Sequence, residues 1–243
     1  MKKLVVVLAM LQAILVHGQV LNYKSEDGDW SVNAGGGSLK FMGPNRYQFT
    51  LKKSGGNVYI RSARQGLELW SPSLVAIIDQ TKGVKDPVQK VTAQQSLRIL
   101  RKGSGDTSEL TGSGGTFVGS RSSADVTISG PVRLVNSRAG KETLNVTGSS
   151  ATAHLTNSAQ SRPLQSATVS GNVRVSVTQA TGGNISLRAS KMTYGTVGGE
   201  GRITLTGNVK AEGGKSTSTF NLETSRATLY LNKDGAVYKF DFS

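Results

Sequence analysis

The chain repeats itself, and the repeat limits its possible folds more than any other feature. Three segments align on a glycine: Ser129-Gly130-Pro131-Val132-Arg133, Ser170-Gly171-Asn172-Val173-Arg174 and Thr206-Gly207-Asn208-Val209-Lys210. These glycines are 41 and 36 residues apart. A second motif follows each by 18 or 19 residues: Ser149-Ser150-Ala151-Thr152, Ser190-Lys191-Met192-Thr193 and Ser225-Arg226-Ala227-Thr228. An earlier copy carries Ser113-Gly114-Gly115-Thr116, and counting back 18 places Gln95 at the glycine position. A degraded copy begins at Gly43-Pro44-Asn45-Arg46. A unit this short cannot bury its own apolar face, so neighbouring units must supply the core.

The units read as strands. Leu39, Phe41, Tyr47, Phe49 and Leu51 share one parity, as do Val169, Val173, Val175 and Val177, and Ile203, Leu205 and Val209. Ser, Thr, Lys and Arg fill the other parity, which is the pattern of half-buried strands. The runs Ser54–Asn57, Gly103–Gly105, Ala139–Lys141, Thr181–Asn184 and Gly213–Lys215 read as hairpin turns, where Gly supplies positive φ cheaply. The apolar parity flips across each Ser motif: Leu187 is opposite in parity to Met192 and Tyr194, and Leu222 to Leu229 and Leu231. A flip needs a bend or bulge there, and Ser or Thr can satisfy the backbone groups it exposes. Asp86-Pro87 has the marks of a helix start, so residues 72–91 read as a linker or short helix. Gln95–Arg101 reads as a strand because Leu97 and Ile99 keep the repeat register. The expected fold is all-β: one elongated antiparallel sheet, folded over on itself, built from repeats of about 36–41 residues. Residues 19–71 form a degraded first repeat with N-terminal strands, and 92–243 the main repeat region.

Residues 1–18 read as a signal peptide. Lys2 and Lys3 precede an apolar run from Leu4 to Val16, too short to span a bilayer, and Val16-His17-Gly18 offers a cleavage site. The expected location is therefore outside the cytoplasm, in a periplasm. Composition narrows the chemistry. No Cys excludes disulfides and thiolate sites, and two His cannot build a His-rich metal centre. His154 has no acid partner at useful sequence spacing, and the carboxylates are scattered, so no enzyme activity, metal or cofactor is expected. Gly112-Ser113-Gly114-Gly115 lacks the Lys of a phosphate loop. Formal charge is +14, yet aromatics are only 6% of the chain and do not interleave the cations, which argues against nucleic acid.

Two sets of residues carry possible function. Three positions after each aligned glycine lies a cation: Arg46, Arg98, Arg133, Arg174 and Lys210. Stacked in register, they would form a row facing away from the core, suited either to an anionic partner or to solvation. The inward set is Val173, Val175, Ile185, Leu187, Met192, Tyr194, Val209, Phe220, Leu222 and Leu229. If the folded sheet closes, these are core; if it splays, they line an apolar groove.

The succession apolar-Thr/Ser-apolar-Ser/Thr-Gly-Asn-Val-Lys/Arg, a Gly-rich turn, then Leu-x-Ala-x-x-Met-Thr-Tyr resembles the LptA/OstA-like periplasmic lipopolysaccharide-transport family. Thr168 to Tyr194 and Ile203 to Leu231 match best. Ser190 stands where that family carries Asp after the Ala of the second motif. The resemblance implies a β-jellyroll or β-taco whose interior shields acyl chains. It also implies lipopolysaccharide or a similar amphipathic glycolipid as cargo, delivery towards the outer membrane, other β-jellyroll components as partners and head-to-tail self-association. The alternative is an exported structural or adhesive repeat protein that binds anionic surface polymers through its basic edge.

Overall fold

The computed structural model describes residues 21–243 except 25–27, 29, 64–65, 80–87, 103–104, 120–122, 139–140, 157–163, 179–182, 198–199, 216–217 and 233–236. The segment read as a signal peptide lies outside the described residues. Among those described, 18 strands join in one sheet, and no residue is helical. The all-β, elongated, folded-over antiparallel sheet expected from the repeats is the observed fold.

The fold is clearest in its C-terminal block. Here β12 (Ser123–Arg138), β13 (Lys141–Thr156), β14 (Leu164–Thr178), β15 (Asn184–Val197), β16 (Glu200–Lys215) and β17 (Ser218–Leu231) are 14 to 16 residues long. Pairing between them slips near the middle: at Ser129/Val132, Thr147/Ser150, Ser170/Val173, Arg188/Lys191 and Thr206/Val209. Each strand therefore bends there and runs through two layers, one on each side of a common crease. Leu187 and Met192, opposite in parity, are both buried, as the bend requires.

The crease has a shared chemistry. At Gly171-Asn172 and Gly207-Asn208 both residues have positive φ (77° and 50°, 80° and 48°), which Gly and Asn adopt at least cost. The Ser of the preceding strand donates to the carbonyl turned out by this kink: Ser149 Oγ to Gly171 O and Ser190 Oγ to Gly207 O, both 3.1 Å. Ser113 Oγ donates likewise to Ser129 O and Gly130 O. Thus the two repeated motifs, far apart in sequence, meet as donor and acceptor.

The N-terminal block has the same topology in shorter pieces. Its strands are β1 (Leu21–Lys24), β2 (Trp30–Ala34), β3 (Gly36–Gly43), β4 (Arg46–Lys52), β5 (Val58–Ser62), β6 (Leu67–Ser71), β7 (Ser73–Asp79), β8 (Val88–Ala93), β9 (Leu97–Lys102), β10 (Asp106–Gly112) and β11 (Gly114–Gly119). One layer continues as β3-β4-β7-β8-β11 into the first half of β12. The other continues as β1-β2-β5-β6-β9-β10 into its second half. The chain crosses between layers at Gly35, 53–57, Pro72, 94–96 and Ser113. Backbone bonds tie these crossings together, among them Gly35 N to Lys52 O, Lys53 N to Pro72 O and Gln94 N to Ser73 O. The last strand, β18 (Val237–Phe242), pairs with Ala227–Leu231 of β17, and Ser243 adds a reciprocal backbone pair with Arg226.

Three sequence expectations change. The linker or short helix at 72–91 is strand at Ser73–Asp79 and again from Val88, with 80–87 outside the described residues. After Pro87, Val88, Val91 and Ala93 sit opposite Ile78, Ala76 and Leu74, so tertiary pairing outweighs the local helix signal. Ser54–Asn57 is a layer crossing rather than a hairpin, because β4 pairs with β7 and β5 with β6. Gly213–Lys215 belongs to β16.

Candidate functional site

The space between the two layers is the first candidate. In the C-terminal block Val173, Val175, Ile185, Leu187, Met192, Val209 and Leu229 are buried in one cluster, with Tyr194 partly buried against it. They pack on one another. Phe220 and Leu222 share the inward face, opposite Gly213 and Ala211, but are 38% and 36% exposed. They lie on the inward face as expected but are not enclosed. Residues 218–224 of β17 pair with β16 on one side; on the other, Ser243 reaches Thr224, and among the described residues no strand pairs with 218–223. Phe242 of β18 reaches the same place, its ring 6.3 Å from Phe220.

In the N-terminal block a second cluster centres on Ala34, Val58, Leu74, Ala93 and Leu97. Around it Val32, Leu51, Ile60, Leu69, Val91, Ile99 and Leu110 face inward but are only half-buried. At that end Phe41 is 62% exposed against Tyr47.

The cation row is the second candidate. Cross-strand pairing places Arg98 opposite Thr111, Thr111 opposite Arg133, Arg133 opposite Thr147, and Thr147 opposite Arg174. The row continues through Arg188 to Lys210. Four of the five expected cations therefore lie on one line, on the outer face beside the crease. Arg46 does not. Gly43-Pro44-Asn45-Arg46 is the β3–β4 hairpin turn, and Arg46 stands opposite Asp79 in the other layer. The residue types that permit positive φ serve turns and creases alike, which is why the alignment misplaced it. Arg188 joins the row unforeseen. It lies two residues before Ser190, where the other copies have Thr111, Thr147 and Glu223, so the repeat itself gave no cue.

Both ends of this row carry ion pairs. Arg98 Nε lies 2.6 Å from Glu109 Oε1, and its guanidinium stacks 4.7 Å over Trp70. Lys210 Nζ lies 2.6 Å from Glu223 Oε1. Among the described residues Arg174 and Arg188 have no ion-pair partner, though they face each other and Arg188 faces Lys210. Like charges directly opposite on adjacent strands destabilise a sheet.

Two further clusters escaped the sequence reading. His154 Nδ1 lies 2.8 Å from Asp125 Oδ1, across neighbouring strands, where linear spacing shows no pairing. Ser166 follows in the same cross-strand row, but among the described residues no hydrogen bond joins it to His154. Between β17 and β18, Tyr230 donates to Asp241 Oδ2 (2.7 Å) and Lys239 Nζ donates to the same oxygen (3.0 Å). These two bonds hold the Asp241 carboxyl below its ordinary range, and the Asp241 partner raises Lys239. Tyr238 donates to Glu200 at 3.0 Å, which raises its phenol.

Among the described residues no cluster of His, Asp and Glu is arranged to hold a metal ion. The fold and these sites define a two-layer, open-ended all-β repeat protein. No family model and no curated protein matches the chain.

Proposed function

We propose that the protein is an exported carrier of an amphipathic, lipopolysaccharide-like glycolipid, taking acyl chains between its two layers and passing them towards the outer membrane. The observation that carries this reading is how the layers are joined. Among the described residues, backbone ladders run within each layer and no strand pairing closes the side opposite the crease. Parting the layers therefore disturbs apolar contacts and spares hydrogen bonds. An acyl chain replaces those contacts at about 25 cal/mol per Å² of apolar surface. The half-buried interior around Ile60, Leu69 and Ile99 is the place where parting costs least. The role is non-catalytic. The strand edges left without a partner among the described residues, beside Phe41 at one end and Phe220 and Leu222 at the other, would meet further copies or other β-jellyroll components and lengthen the trough.

Photocrosslinkers at Leu69 and Ile99, facing inward, and at Lys40, facing outward, test the reading in cells that make lipopolysaccharide. Lipid adducts from the inward positions and none from Lys40 are expected. Adducts absent from both inward positions would sink it.

A further inference from the structure

We propose that the outer row along the crease is a docking strip for a linear anionic polysaccharide. This inference does not depend on what occupies the interior. From Arg98 to Lys210 the row crosses six strand steps. At about 4.8 Å per step it is a straight line of roughly 29 Å. Cations stand at Arg98, Arg133, Arg174, Arg188 and Lys210, with threonine hydroxyls between the first three. An extended chain with regularly spaced anionic groups matches that line; a compact anion would reach only part of it.

The Lys210 end of the row is built at a cost to the folded protein. Arg188 stands between Arg174 and Lys210, and two adjacent cross-strand positions of like charge oppose folding. These three cations line an open depression of about 510 Å³ against the crease, floored by Asn172, Ser190, Gly207 and Asn208. A concave, positively charged surface concentrates field on an anion resting there. The depression also offers amide and hydroxyl groups that suit the hydroxyls of a sugar.

The far end of the row selects among polyanions. Trp70 precedes Arg98 in the same row, opposite Tyr59, with their rings 5.3 Å apart. An aromatic platform followed by cations fits a chain that has both apolar sugar faces and anionic groups. A single-stranded nucleic acid would instead call for aromatics interleaved along its path to stack successive bases. Here they stand together at one end.

The test uses the full exported chain and fluorescently labelled polygalacturonate, with inorganic polyphosphate and neutral dextran as comparators. Removing the cations of the depression (Arg174→Gln, Arg188→Gln, Lys210→Gln) is expected to weaken polygalacturonate binding about tenfold or more and to flatten its salt dependence. Removing three lysines from the outer face of the other layer (Lys40→Gln, Lys52→Gln, Lys90→Gln) keeps net charge equal and is expected to change affinity less than about twofold. Trp70→Ala is expected to weaken polygalacturonate and leave polyphosphate unchanged. In the absence of ligand, Arg188→Gln alone is expected to raise the melting temperature. Equal losses from both triple variants, or no binding by the native protein, overturn the strip. Equal loss of both polymers in Trp70→Ala, or tighter binding of polyphosphate than of polygalacturonate, overturns the assignment to a polysaccharide.

Discussion

The two blocks of this sheet share a topology and differ in how the chain turns the crease. In the C-terminal block one strand bends and continues, so Gly171-Asn172 and Gly207-Asn208 kink it while the ladder resumes on the far side. In the N-terminal block the strand ends and another begins, across Gly35, Pro72, 94–96 or Ser113. The first solution draws the layers together over a filled core. The second leaves inward side chains such as Ile60 and Leu69 half-buried. A crease made by continuing strands thus closes the interior, while a crease made of joints leaves it loose.

The largest expected effect strikes the bend itself. Gly171→Val places a β-branched residue at φ 77°, with its Cβ 2.8 Å from that of Ser149. Strain and overpacking together should cost about 4 kcal/mol in urea denaturation. Gly55→Ala, at φ 68° with nothing within 4 Å, should cost only about 1 kcal/mol. If both cost the same, the two creases do not differ as described. Next comes the interior. Leu187→Ala removes a fully buried side chain and should cost about 3 kcal/mol, while Leu69→Ala should cost about half that. Equal losses would mean that the N-terminal interior is as tightly filled as the other.

The crease hydroxyls come third. Ser190→Ala deletes the bond to Gly207 O and should cost about 1 kcal/mol. Gln94→Ala should be near neutral, since that crossing is tied by its backbone N–H to Ser73 O. The smallest effect is one of pH. The Asp241 carboxyl, held low by Tyr230 and then Lys239, is ionised at neutral pH and contributes its stability there. That contribution begins to fade as pH falls through the unfolded value of about 3.9, and it is gone below the lower folded one. Amide exchange of β18 should therefore accelerate over that window in the native protein and show no such step in Asp241→Asn.

What was legible in the sequence follows from the same contrast. The continuing strands repeat one device, Gly-Asn or Gly-Pro followed by Val and a cation, and so their copies align by eye. The joints use Gly35, Pro72 and Gln94–Ser96 in turn, each a different chemistry for one task, and only the Gln95 register exposed any of them. Parity was readable for Phe220 and Leu222, but burial was not, because burial depends on whether another strand arrives beside them. Arg188 and the Asp125–His154 pair depend on cross-strand register, which a single copy does not carry.

Strands here lie across the length of the molecule, so their hydrogen bonds point along it. A pull on the two ends would load these ladders one after another instead of together. Under tension the sheet should part like a zip, hairpin by hairpin from an end, at low force and with a sawtooth record whose teeth match the strands.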